Sequence, residues 1–357
     1  MHHLILGHSD MNRRGFLAYA AVAASATLPL SLAHAQSLSK LTVSYPSRSG
    51  MAWPYWLAKD AGLYQKHGLD VTLEFGVHPA GVAMLVSGQA QMAVYGLEPI
   101  LAAAIRDSSM VIAASGLSKG NFALVAQKDF KTVAELKGKR MGIGRVGDQL
   151  YVYLLTMLEK HGLTARDVQW VPTGADVSSR VKMLQVGQID AALLVAPGYF
   201  KLESQGFKVL DLLLNYPEVF VSTVNVFKKT WSKENPDLVR RLLMAQSDAV
   251  QLFYASKDAA LRAYRAFDPN QSEEDISQLY DIYKSRDVLD RIPLLQKAAM
   301  MSTVAHMTED VPALKNFDTS SIVDMGPIRQ LISQGYYRKL YGQSVSAEEG
   351  SKLANSF

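Results

Sequence analysis

The sequence predicts an α/β protein of two similarly wound lobes, each a mainly parallel sheet flanked by helices, with a helical C-terminal part. Three observations predict it. Strand–loop–helix–strand units recur between Thr42 and Val195, and such units build parallel sheets. Two short stretches repeat in the same order. Lys66-His67-Gly68-Leu69 returns as Lys160-His161-Gly162-Leu163, and Met84-Leu85-Val86-Ser87-Gly88-Gln89 returns in similar form as Met183-Leu184-Gln185-Val186-Gly187-Gln188. From Pro236 onward the apolar spacing is helical.

In the first lobe Thr42 to Tyr45 read as a strand that ends at Pro46, and Ser47-Arg48-Ser49-Gly50 as a polar turn. Trp53 to Lys66 have helical spacing and stop at Gly68; Asp70 to Phe75 alternate as a strand. Gly76 to Gly81 form a loop, Val82 to Ser87 a short helix and Gln91 to Tyr95 a third strand. Val111 to Ala114 and Phe122 to Ala126 are further strands. The second lobe repeats the order: strand Arg140 to Ile143, glycine-bearing loop Gly144 to Asp148, helix Gln149 to Lys160, strand Val168 to Val171, helix Val177 to Val186, strand Ala191 to Val195. Helices follow at Leu238 to Tyr254, Asp258 to Phe267, Ser272 to Ser285 and Leu294 to His306, with Pro236 and Pro293 near helix starts, where proline is tolerated. The domains expected are a leader over 1–35, lobe one over 40–122 plus about 225–343, lobe two over 123–224, and a frayed tail over 344–357.

Of the 357 residues 48% are hydrophobic and 20% charged, an ordinary globular balance with ample material for a core. A net charge of +4 offers neither a basic stripe for nucleic acid nor a patch for anionic membranes. With no cysteine there is no disulfide, thiolate metal site, iron–sulfur cluster, cysteine nucleophile or lipid-modified cysteine anchor. No Ser-His-Asp order, HExxH or paired zinc spacing is visible, so no catalytic residue, metal site or cofactor is assigned.

Asn12-Arg13-Arg14-Gly15-Phe16-Leu17 has the form of a twin-arginine export motif. Leu17 to Ala33 carry no charge, and Ala33-His34-Ala35 is a small-residue cleavage site that sets Gln36 as the mature start. The run is long enough to tempt a membrane-anchor reading, but it is alanine-rich and interrupted by Pro29. The expectation is export to the periplasm, with residues 1–10 an upstream extension before Met11.

Three segments resemble one family. Trp56-Leu57-Ala58-Lys59-Asp60-Ala61-Gly62-Leu63-Tyr64-Gln65-Lys66-His67-Gly68-Leu69-Asp70-Val71 is similar to the first helix-to-strand junction of the nitrate/sulfonate/taurine and thiamine-precursor solute-binding proteins. Val86 to Ala93 resembles their next junction, with Gln91 where aspartate is commoner, while Gln188-Ile189-Asp190-Ala191-Ala192 keeps the aspartate in the second copy. Val133 to Gly142 resembles the family's opening to its second lobe. The resemblance spans about residues 40 to 230 and chooses no ligand. It implies a type II-like periplasmic binding protein that closes two lobes around a small molecule, is not an enzyme, and acts as a monomer with the permease and ATPase of an ABC importer. Synthetic relatives of the thiamine-precursor group carry an iron-holding cysteine cluster, which this chain lacks. Uptake of a thiamine-related pyrimidine or other heterocycle, a periplasmic sensor module and an enzyme derived from the same fold are the other readings.

In open parallel sheets, ligands bind beyond the carboxyl ends of the strands. This nominates the loops at Ser47 to Met51, Gly76 to Gly81, Gly96 to Glu98 and Ser115 to Ser118, then Gly144 to Asp148, Thr173 to Asp176 and Ala196 to Gly198. The hinge is expected at Phe122 to Gln127, with a return near Val221 to Val226. Candidate ligand contacts are Ser47, Arg48, Ser49, Gly50, Trp53, His78, Tyr95 and Glu98 in lobe one, and Arg145, Gly147, Asp148, Thr173, Gly174 and Asp176 in lobe two. Arg48 and Arg145 suit a carboxylate or sulfonate; their plainer roles are a solvated turn and a surface ion pair. Trp53 would stack on a ring, or pack in the core. His78 would bond or titrate, or lie exposed. Glu98 suits an amine or a pyrimidine N–H, or serves as a first-turn charge on the helix at Pro99. The arginines favour a small organic anion; Glu98 and the aromatics favour a heterocycle.

Overall fold

A computed structural model describes residues 37–76, 80–118, 120–174, 177–216 and 221–357. The export segment, His78 and Asp176 lie outside the described residues. β1 (Ser39–Tyr45) leads to α1 (Trp53–Asp60), α2 (Leu63–Lys66), β2 (Leu69–Phe75), α3 (Ala80–Ser87), β3 (Met92–Tyr95), α4 (Leu97–Ala104) and β4 (Met110–Leu117). Next come β5 (Phe122–Ala126), β6 (Arg140–Ile143), α5 (Gln149–Lys160), β7 (Gln169–Pro172), α6 (Val177–Gln185), β8 (Ala191–Val195), α7 (Phe200–Ser204) and β9 (Lys208–Leu212). β10 (Thr223–Lys228) follows, then α8 (Lys229–Glu234), α9 (Pro236–Ala255), α10 (Lys257–Phe267), α11 (Glu273–Ser285), α12 (Lys297–Met307), α13 (Gly326–Ser333), α14 (Tyr336–Tyr341) and α15 (Ser346–Asn355).

The strands form two five-stranded sheets, ordered β2-β1-β3-β10-β4 and β7-β6-β8-β5-β9. The orders superpose term by term. β1 pairs in parallel with β2 and β3 as β6 does with β7 and β8, while β10 and β5 run antiparallel to both their neighbours. Four strands of each sheet therefore share one direction, because the helical crossovers between them demand it, and one opposes. Both sheets lie within one compact unit, Leu38–Phe357.

The repeated letters fall at equivalent junctions. Gly68 and Gly162 turn the chain out of α2 and α5 in the left-handed conformation, with φ of 71° and 77°. Gln91 departs from the commoner aspartate but does the same work. Its side-chain carbonyl accepts from the Thr42 amide of β1 at 2.8 Å, as Asp190 accepts from the Arg140 amide of β6 at 2.8 Å. Each pins the strand before a crossover to the strand that follows.

Several expectations are corrected. The helix read over Trp53 to Lys66 is two helices, since Gly62 sits at φ 68° between them. Phe122 to Ala126 is the strand expected, and because it pairs on one side with β8 and on the other with β9, the hinge expected over Phe122 to Gln127 falls within the second sheet instead. The chain passes from β4 to β5 over positions 118–121 and from β9 to β10 over positions 213–222. The last helix of the four starts at Lys297 rather than Leu294. The C-terminus is no frayed tail: α15 carries buried Glu349 into an ion pair with the exposed Arg338 at 2.8 Å, and Arg329 donates to the Ser356 hydroxyl at 2.8 Å.

The C-terminal helices brace the first sheet. Buried Asp248 of α9 accepts from Lys66 Nζ at 2.7 Å, His67 Nε2 at 2.9 Å and the Tyr336 hydroxyl at 2.5 Å. Burial alone would raise this carboxyl; the bonds from His67, Lys66 and Tyr336 outweigh burial and pull it down to about 2. A depressed carboxyl stabilises the fold above its unfolded value of about 3.9, and the gain is lost as pH falls toward the folded value. Asp248→Asn is therefore expected to cost about 2 kcal/mol at pH 7. The gap to the parent should narrow steadily between pH 4 and pH 2, read by urea unfolding.

Candidate functional site

The chain just past β3 meets the start of α5, the helix that follows β6. Gly96, just past β3, has no side chain, and the space a Cβ would take lies 3.0 Å from the Gln149 amide nitrogen at the start of α5. Gln149 Nε2 donates to the Ser222 carbonyl at 2.7 Å and to the Tyr153 hydroxyl at 3.2 Å. One side chain of the second sheet's layer thus reaches the segment returning to the first sheet. Ser222 is fully buried, as is Asn121 on the outgoing segment, where it accepts from the Tyr199 hydroxyl at 3.0 Å.

Glu98 stands at the centre of this junction. It is the second residue of α4, 1% exposed. Neither carboxylate oxygen has a hydrogen-bond partner of good geometry. Both hydrogens of the Gln149 amide, the nearest side-chain donor, are committed elsewhere. Burial pushes the Glu98 carboxyl up to about 8, its own backbone N–H acting the other way, the charge of nearby Asp148 adding to the rise and the Gln149 amide opposing it. Asn121 Nδ2 on the outgoing crossing, Thr223 Oγ1 at the end of the return crossing and the Tyr283 hydroxyl are also buried without partners. Tyr283 lies across Gly50, where a Cβ would come within 2.6 Å of its ring. Burial raises the Tyr283 phenol, and Tyr199 of the second layer adds to the rise.

On the second sheet, Asp148 caps α5 through the Tyr151 amide at 2.9 Å and accepts from the Arg145 amide at 2.9 Å. Burial raises the Asp148 carboxyl; those two amides, then the charges of Arg180 and Arg145, oppose the rise. Arg180 of α6 is 2% exposed and donates to the Gly174 carbonyl at 3.1 Å. Thr173 donates its hydroxyl to the Ile143 carbonyl at 2.8 Å, closing the end of β6 onto β7.

The structure brings Ser49, Gly50, Tyr95, Glu98, Asp148, Thr173 and Gly174 to the strand ends expected for them. Ser49 is buried and caps the short turn at Gly50, and Ser47 donates to it at 3.0 Å. Tyr95 is buried with its hydroxyl between Ser44 Oγ and the Gly76 carbonyl, inside its own layer. Three candidates stand apart. Arg48 is exposed, its guanidinium 4.9 Å from the Phe75 ring centre. Arg145 is exposed and contributes its backbone N–H rather than its charge to the cap. Gly147, at φ 78°, abuts Asp310 of the segment after α12.

Trp53 is a correction. It is no cleft wall but fully buried, donating from its indole to the Ala260 carbonyl at 2.7 Å. Phe253, Tyr264, Tyr280 and Tyr283 surround it at 4.9 to 6.1 Å between ring centres. The C-terminal helices that cover it had no visible target in the sequence. Sequence reasoning also missed Gln149, Arg180, Asn121, Ser222, Thr223 and Tyr283, whose letters fit ordinary helix and loop positions. Asn121 and Ser222 border the two crossings, a signal a sharper placement of those crossings would have used.

Residues 51–260 match the model of the family described as NMT1/THI5 like. A relative from Brucella abortus, named as a binding protein, is 29% identical over 252 residues, covering 67% of this chain and 73% of its own. The 4-amino-5-hydroxymethyl-2-methylpyrimidine phosphate synthase of Saccharomyces cerevisiae is 25% identical over 241 residues, 63% of this chain and 69% of its own. Among solved structures, the periplasmic aliphatic sulphonate binding protein of Escherichia coli superposes with a TM-score of 0.66 at 18% identity, covering 81% of this chain and 92% of that one. The sheet orders, the interlobe junction and these matches agree: the fold is that of the periplasmic binding proteins, and the chain belongs to the NMT1/THI5-like family.

Proposed function

We propose that this protein is a periplasmic solute-binding protein, which captures a small organic molecule between its two sheets and delivers it to the permease and ATPase of an ABC importer, without transforming it. Residues 40–122 with 225–343 and residues 123–224 act as the two closing lobes. The twin-arginine motif and the small-residue cleavage site support export, and no helix among the described residues is long and apolar enough to cross a membrane. The observation that carries the reading is the set of buried polar atoms left without partners where the two layers meet, at Glu98, Asn121, Thr223 and Tyr283. Buried polar groups in folded proteins are almost always satisfied. Groups that stay unsatisfied at the junction of two closing lobes are those a guest would satisfy.

Native mass spectrometry of the purified protein, followed by thermal melting against a metabolite library, tests this. A ligand at 100 times its Kd is expected to add about 2.7 kcal/mol of stability by mass action. No bound species and no melting shift across the library would remove the reading. Recovery of a chemically altered ligand after long incubation would replace capture by catalysis.

A further inference from the structure

Two glycines stand where the layers touch. Gly147, ahead of α5, has a φ of 78°, a left-handed backbone that favours glycine whatever surrounds it. Gly96, just past β3, is different. Its φ of −57° and ψ of 149° suit any residue, so the backbone does not call for glycine there. Space does. A Cβ on Gly96 would lie 3.0 Å from Gln149 Nε2, 3.2 Å from Gln149 Cδ and 3.3 Å from Glu98 Oε2. The contact with Cδ alone is inside the roughly 3.5–4.0 Å at which carbon atoms pack best. Gln149 is not free to swing aside. Its amide is tied to the Ser222 carbonyl at 2.7 Å and to the Tyr153 hydroxyl at 3.2 Å, and Tyr153 is itself buried. Gln149 is the first residue of α5. About two turns further along, the same helix meets the C-terminal helices that brace the first sheet, where Thr156 Oγ1 lies 3.2 Å from His306 Nε2 of α12. The helix thus rests on the first layer at two points, and at the first of them it rests on a residue without a side chain.

We infer, on the solute-capture reading above, that Gly96 is the seat on which the second lobe comes to rest as the lobes close, that Gln149 is the side chain that fills it, and that this pair sets the depth of closure. Both act by position, and neither needs to touch the guest. In the open protein Gln149 withdraws and a side chain on Gly96 costs nothing. In the closed protein an added carbon and the Gln149 amide claim the same space. A methyl group at Gly96 is therefore a wedge that acts on one state only. Overpacking of this kind lowers the closed population roughly tenfold to 100-fold. Tight binding needs the closed state, so affinity falls by the same factor.

Double electron–electron resonance tests the inference. The chain has no cysteine. Val86→Cys in α3 and Val186→Cys just past α6, both at exposed positions, therefore place one spin label on each lobe with no competing thiol. Distances are recorded with and without the metabolite library, added as one pooled mixture. The parent is expected to show two distance populations, the shorter one enriched by the pool. Gly96→Ala should lower the ratio of short to long by roughly tenfold or more while still unfolding cooperatively on heating. Adding Gln149→Ala to Gly96→Ala should return the ratio to that of Gln149→Ala alone, because the wedge then strikes nothing. That recovery is a coupling between two residues, which general damage to the fold does not produce. Two populations whose ratio ignores Gly96→Ala would overturn the inference and leave solute capture standing. So would a loss that Gln149→Ala does not repair, or a Gly96→Ala chain that no longer unfolds cooperatively, since the inference confines the strain to one of two folded states. A single distance in the parent under both conditions would overturn lobe closure, and this inference with it.

Discussion

Trp53→Ala is expected to lower the free energy of unfolding by about 4 kcal/mol, the middle of the range for removing a buried tryptophan. The indole is fully buried within a cage of four aromatic rings from α9, α10 and α11, and its N–H is spent on the Ala260 carbonyl. Truncation leaves a cavity that the surrounding rings cannot close without leaving their rotamers, and removes one of the donors to the Ala260 carbonyl. Trp53→Phe keeps most of the volume and loses only the hydrogen bond and part of the fill, so about half that cost is expected. Urea denaturation of both variants decides. Ligand affinity of the folded fraction should stay near the parent value. A tryptophan lining the cleft would show the opposite pattern, with weak binding and near-normal stability.

Lys352→Ala is expected to cost about 3 kcal/mol, the scale of leaving a buried charge without its partner. Lys352 Nζ lies 3.0 Å from Asp290, 2.8 Å from the Ile292 carbonyl and 3.2 Å from Glu348, with its side chain 18% exposed and that of Asp290 9%. Burial would lower the lysine; Asp290 and Glu348 outweigh burial and raise it. A raised lysine stabilises the fold below its unfolded value of about 10.4, and the gain disappears as pH climbs past the folded value. The cost of the substitution should therefore shrink in alkaline solution. Asp290 also accepts from Ser115 at 3.1 Å and from Ser118 at 2.6 Å, at the start of the outgoing crossing. The double variant Lys352→Met with Asp290→Leu should recover part of the loss, since removing both partners spares the desolvation penalty. If the single lysine variant unfolds at the parent's urea midpoint, the last helix contributes nothing through this pair.

The alternation of strands and helices up to Val195 was legible because four crossovers end in a glycine at a helix stop and open on a strand, at Gly68, Gly88, Gly162 and Gly187. β9 was not, because Lys208 to Leu212 is half-buried and mixes charge with leucine, with no clean alternation. α15 was missed for a similar reason. Its only buried residue is a glutamate, whose partner Arg338 lies on another helix. Of the candidate site, Glu98 and the loop ends of Asp148 and Thr173 lie where the rule that guests sit past the carboxyl ends of strands places them. Arg48 and Arg145 were nominated by the same rule and stand outside. The rule locates a backbone position, whereas the direction of a long side chain depends on what packs over it, here the Phe75 ring in one case and solvent in the other.

The placement of β10 between β3 and β4 sets a schedule for synthesis. Every strand of the second sheet lies within 122–212, so that sheet has all its members early. The first sheet, although it begins at Ser39, keeps a vacant inner slot until residues 223–228 leave the ribosome. The portion translated first is thus the last to be sealed, and until then it presents two unpaired strand edges for which a chaperone or a neighbouring nascent chain would compete.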